Sequence, residues 1–148
     1  MPASTDPHDL TRFVDAQAAV HDEVVAELTA GRKRSHWMWF VFPQIAGLGF
    51  SAMSARYAIA GLDEARAYLA HPVLGPRLIA CTRLVNAVEG RSLRQILGEP
   101  DDVKFVSSMT LFAQAAADEP AFTEALRKYA DGEGDPKTVA LLRADRRA

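Results

Sequence analysis

The apolar residues of this chain fall into runs at three- and four-residue spacing, and glycine, proline or a capping side chain cuts each run short. That punctuation constrains the fold more than any other feature. Leu10, Phe13, Val14, Val24, Val25 and Leu28 predict one long helix from about Asp9 to Ala30, stopped by Gly31. Leu74, Leu78, Cys81, Val85 and Val88 predict another over 73–88, ended by Gly90. Shorter helices are predicted behind Ser51 (with Met53, Tyr57 and Ile59), Asp63, Ser92, Asp101 or Asp102, Asp118-Pro120 and Asp135-Pro136. No two stretches with strand periodicity lie where they could pair, and a lone strand leaves its backbone groups unpaired. The expectation is an all-α single compact domain of seven or eight helices over 1–148, with the first seven or eight residues frayed. Phe13, Leu28, Leu78, Val85, Met109, Phe112 and Leu126 are its expected core.

Composition narrows the classes of function. At 148 residues, 49% hydrophobic and 24% charged, the chain suits an ordinary globular domain with one core. A net charge of −2 gives no global field to recruit nucleic acid or an anionic membrane, so neither partner is expected. No apolar run reaches the length of a membrane span, and no apolar leader is visible. The single Cys81 cannot form an internal disulfide, which fits a reducing compartment and leads to a cytoplasmic reading. Arg143, Arg146 and Arg147 read as a solvated helix end. His8, His21, His36 and His71 show no metal-ligand spacing, and there is no phosphate-loop or dinucleotide fingerprint. No metal and no cofactor are expected.

One stretch mixes buried and polar chemistry densely. Ser35-His36-Trp37-Met38-Trp39-Phe40-Val41-Phe42-Pro43-Gln44 holds both tryptophans, follows Arg32-Lys33-Arg34 and precedes Gly47-Leu48-Gly49. Ser35 is placed to cap a short helix that Pro43 limits. Trp37 and Trp39 either stack on a flat ring or fill core. Lys33 and Arg34 either hold phosphate or complement the dipole of the preceding helix. His36 beside two indoles is expected to lose solvation and stay neutral. Gln17 and His21 interrupt the apolar stripe of the first helix and should point inward or into a cleft. Lys104, Ser107 and Ser108 share a helix side, where Lys104 either meets an anionic ligand or pairs with Asp101 or Asp102.

The run from Gly31 to Gln44 with Gly47-Leu48-Gly49 resembles the signature of DUF family 1810. The runs His71-Pro72-Val73-Leu74-Gly75-Pro76-Arg77-Leu78 and Lys104-Phe105-Val106-Ser107-Ser108-Met109-Thr110-Leu111-Phe112 are similar to the same family. The resemblance covers nearly the whole chain. It implies a mainly α-helical domain and no established activity. His21 departs from it, standing where the family pattern carries an aromatic residue. A weaker similarity extends to the NADAR fold, whose members are linked to ADP-ribose and N-glycoside chemistry; it is an analogy of fold only.

Two functions of different class follow. In the first, the chain hydrolyses a nucleotide-derived N-glycoside: Trp37 or Trp39 stacks the ring, Lys33, Arg34 or Lys104 holds phosphate, and His36 or a carboxylate such as Asp101 or Glu64 serves as acid or base. In the second, the same cleft is a non-catalytic binding module or sensor. Both readings expect a nucleotide-like small molecule of the ADP-ribose type, and both draw on Gln17, Gln44, Ser107 and Ser108 as ligand contacts. In particular, Gln17, His36 and Lys104 are expected to share one cleft beside Trp39.

Overall fold

The computed structural model describes residues 6–49 and 51–147, with side chains through residue 144. The fold is all-α. Among the described residues there are ten helices: α1 (Thr11–Ala18), α2 (His21–Thr29), α3 (Met38–Val41), α4 (Ala52–Arg56), α5 (Leu62–Ala70), α6 (Leu74–Ala87), α7 (Leu93–Leu97), α8 (Asp101–Ala115), α9 (Pro120–Tyr129) and α10 (Pro136–Arg147). Of the expected frayed lead, residues 1–5 lie outside the described residues. Asp6 is tied down: its carboxylate accepts from the N–H groups of Leu10 (2.7 Å) and Thr11 (2.9 Å).

The long helix expected over 9–30 is two helices. Val20 leaves the helical region (φ −125°, ψ −3°), and the chain turns there. The reason is tertiary: α1 packs on α3, whereas α2 packs on α6, and one straight cylinder cannot reach both. Two further expectations change. Gly61, not Asp63, precedes α5, with no side-chain cap. Ile59 lies beyond α4, in an isolated parallel bridge with Ile45, where Ile59 N–H donates to Gln44 C=O and Ala46 N–H to Ile59 C=O. That bridge fixes the start of the glycine loop. Other starts match their sequence signals. Ser51 caps α4, Ser92 and Gln95 form a capping box on α7, and Asp135 accepts from Thr138 N–H at α10. His71 Nδ1 accepts from the N–H groups of Val73 and Leu74 ahead of α6.

Helix α8 is the centre of the core. It packs on α5, α7, α9 and α10, and Phe105, Met109, Leu111 and Phe112 are fully enclosed. A chain of rings crosses the molecule: Phe13 meets Tyr68 edge-on at 5.1 Å, Tyr68 meets Phe112 at 5.4 Å, and Phe112 meets Phe122 at 5.8 Å. All seven expected core residues are buried. The start of α6 crosses the end of α5 so closely that a Cβ at Gly75 would stand 2.0 Å from Leu69 C=O; only glycine fits. Cys81 is buried on the apolar side of α6, and burial pushes its thiol up to about 11. No described helix is long and apolar enough to cross a membrane. Arg143 is exposed; the side chains of Arg146 and Arg147 lie outside the described residues.

Candidate functional site

The site begins at the end of α2. Gly31 takes φ +73°, and its neighbour Arg32 donates its N–H back to Glu27 C=O, closing the helix with a Schellman turn. The chain therefore doubles back over its own last turn. There Glu27 gathers it: the carboxylate accepts from Arg34 N–H (2.7 Å), Ser35 N–H (2.9 Å), Ser35 Oγ (2.7 Å) and Trp37 Nε1 (3.1 Å). Ser35 thus serves Glu27 rather than capping α3, which starts without a side-chain cap. Partial burial alone would raise the Glu27 carboxyl, but these hydrogen bonds outweigh it and hold the group at about 2.

A stability–pH dependence follows. The folded-state value lies below the ordinary 4.5, so the stabilisation is present above 4.5 and is lost as pH falls towards 2. Urea midpoints of the wild type should drop across that window. Glu27→Gln should start lower and drop less steeply there; equal slopes would show that Glu27 does not carry the effect.

Trp37, held by Glu27, is fully buried and belongs to the core. It cannot stack a ligand in this arrangement, which corrects that half of the expectation. Trp39 is different: it is half-buried and lines a cavity of about 240 Å³ with Lys33, His36, Pro100, Asp101 and Lys104. Two ammonium groups flank one carboxylate there. Lys33 Nζ lies 2.9 Å from Asp101 Oδ2, with its stem buried and its charge over the Trp37 ring at 4.9 Å. Lys104 Nζ lies 3.8 Å from Asp101 Oδ1 and 5.3 Å from the Trp39 ring centre, and it makes no hydrogen bond among the described residues. The other carboxylate of the cavity, Glu99, is paired with Arg94. Of the two readings of Lys104, the pairing with Asp101 is met, loosely, and the ammonium has hydrogen-bond donors unused among the described residues.

Two neighbouring cavities extend the site. One of about 340 Å³ also borders Pro100 and Lys104, and adds Gln44, Ser107, Asp135 and Lys137. One of about 230 Å³ borders Trp39 and Gln44, shares Gly49 and Ser54 with the second, and adds Tyr57. The three adjoin through shared lining residues, Trp39, Gln44 and Lys104 among them, and together are taken as one groove between α3, the glycine loop and the first turns of α8 and α10. A Cβ at Gly49 would stand 2.4 Å from Ser54 Oγ, so the loop can close on α4 only with glycine there.

The remaining expected residues divide. Ser107 borders the groove, its hydroxyl donating to Val103 C=O at 3.2 Å. Ser108 is fully buried, its hydroxyl without a hydrogen-bond partner among the described residues, and borders none of the three cavities. His36 borders the groove but is exposed, so the loss of solvation expected for it is not met. Arg32 and Arg34 are exposed and border none of the three cavities. Gln17 does not join the common cleft. Its amide nitrogen donates to Phe40 C=O (2.7 Å) and Tyr68 Oη (3.0 Å) in the core, and it sits with His21 and Arg77 beside α6. A buried amide needs partners, and the backbone of α3 and the Tyr68 hydroxyl supply them. Glu64 is structural: it accepts from Arg12 (2.8 Å) and Ala60 N–H (3.2 Å).

Sequence reasoning missed Lys137. A lysine in the first turn of a helix opposes the helix dipole, and that mismatch was its available signal.

The model of the DUF1810 family, described as a protein of unknown function, matches residues 7–142. No curated protein matches the chain. The crystal structure of the conserved hypothetical protein Rv1873 from Mycobacterium tuberculosis is similar, with a TM-score of 0.92 and 59% identity over 93% of this chain and 99% of that one.

Proposed function

Because the chain belongs to the DUF1810 family of proteins of unknown function, we propose its role from the groove itself: it binds a small anionic molecule carrying a flat ring, of the nucleotide-derived class, without transforming it. The observation that carries this reading is Lys104, a cation with free hydrogen-bond donors between a half-buried indole and a carboxylate already claimed by Lys33. Such an ammonium is completed by an anion, and phosphate is the group that matches it. The neighbouring indole and Gln44 amide offer a stacking face and a neutral donor for the rest of the molecule.

Hydrolysis of an N-glycoside is the weaker reading. Both oxygens of Asp101 face lysine ammonium groups of the protein, at 2.9 and 3.8 Å, rather than an open position for a substrate. His36 is exposed, with no hydrogen-bonded carboxylate to orient it among the described residues. The binding reading places the protein in the cytoplasm, where nucleotide-derived anions are found and where the buried, unpaired Cys81 would stay reduced. Calorimetric titration of adenosine monophosphate tests the reading. Saturable binding that weakens with added salt is expected; no heat up to millimolar nucleotide would end it.

A further inference from the structure

We infer that the ligand carries two linked phosphate groups, one in each of the two lobes that meet at Lys104. This rests on the binding reading above and sharpens its ligand class. Lys104 and Pro100 border both the 240 Å³ cavity and the 340 Å³ cavity. The first lobe supplies Lys33 and Lys104; the second supplies Lys104 and Lys137. Lys137 makes no ion pair and no hydrogen bond among the described residues, although it borders the cavity.

Lys33 is engaged by Asp101 and by Ser35 C=O, to which it donates at 2.5 Å, but the carboxylates that face Lys104 and Lys137 do not satisfy those two. Asp101 Oδ2 is taken by Lys33, leaving Oδ1 at 3.8 Å from Lys104. Asp135, the carboxylate of the second lobe, spends Oδ2 on the N–H and hydroxyl of Thr138 at the start of α10. Glu99 is bound to Arg94. A single phosphate beside Lys33 and Lys104 would leave the exposed Lys137 to solvent alone at a helix start, where its charge is disfavoured. A diphosphate reaches past Lys104 and completes Lys137 as well. The ring attached to the first phosphate then lies towards Trp39, and Gln44, common to the other two cavities, stands beside the bridge.

The test is a set of calorimetric titrations at one fixed ionic strength. Inorganic phosphate, pyrophosphate, adenosine monophosphate and adenosine diphosphate are titrated into the wild type, Lys137→Ala and Arg127→Ala, an exposed cation of α9 outside the groove. In the wild type, the diphosphates should bind roughly tenfold tighter than their monophosphate counterparts, the worth of one further charged contact. Lys137→Ala should remove that advantage and leave the monophosphates unchanged. Arg127→Ala should change neither. Equal affinity of mono- and diphosphates in the wild type overturns the inference and leaves the binding reading standing. So does an equal loss for both in Lys137→Ala, or a loss of the diphosphate advantage in Arg127→Ala, which would mark it as a general charge effect. Absence of binding by all four probes overturns the binding reading, and the inference with it.

Discussion

Replacing Trp37 by alanine should destabilise the protein by about 3–5 kcal/mol, the range for removing a large aromatic side chain from a packed core. The ring is fully enclosed and meets Phe42 at a centroid distance of 6.2 Å. Its Nε1 proton is donated to Glu27, and the Lys33 ammonium sits over its face. The substitution therefore opens a cavity and also leaves Glu27 one donor short. That loss reaches the turn that sets Lys33, because Glu27 holds Arg34 and Ser35 in the same grip. Trp39→Ala removes a half-buried ring on the groove and should cost much less. Urea midpoints with an unchanged denaturant slope would measure both. A loss below about 1 kcal/mol for Trp37→Ala would mean the core closes without the indole.

The two tryptophans show how far the sequence could be read. Their position between a cationic run and a glycine loop marked the right stretch, and local chemistry marked the helix ends: Gly31, Ser51, Ser92 and Asp135 each act where they stand. Which indole faces the groove was not legible, because it depends on Glu27, ten residues earlier, taking the Trp37 proton. Gln17 was legible as a buried polar group needing partners. Its partners are Phe40 C=O and Tyr68 Oη, and nothing near Gln17 in the chain names them. The bend at Val20 was hidden for a related reason: Gln17 and His21 interrupt the apolar stripe there, but nothing in it marks the two different helices on which its halves pack. Lys104 and Asp101 were legible as neighbours on one helix. That Lys33 completes the cluster is a long-range fact, set by the backbone bond from Lys33 N–H to Ile96 C=O.

The central claim concerns that cluster, and it makes two predictions of opposite sign. Lys104→Ala should weaken binding of adenosine monophosphate roughly tenfold or more at little cost in stability, because this ammonium makes no hydrogen bond among the described residues. Asp101→Asn should do the reverse. The carboxylate stands where it repels an incoming phosphate and competes for both ammonium groups. At a separation of about 5 Å and an effective dielectric constant of about 20–40, removing that repulsion is worth about 2–3 kcal/mol before salt screening, or roughly tenfold in affinity after it. A catalytic Asp101 would behave differently: the amide would abolish turnover and leave affinity nearly unaltered. The most direct measurement is therefore the dissociation constant of adenosine monophosphate for Asp101→Asn beside the wild type, by calorimetry in one buffer. Tighter binding by about tenfold is the predicted result; unchanged or weaker binding would contradict the account.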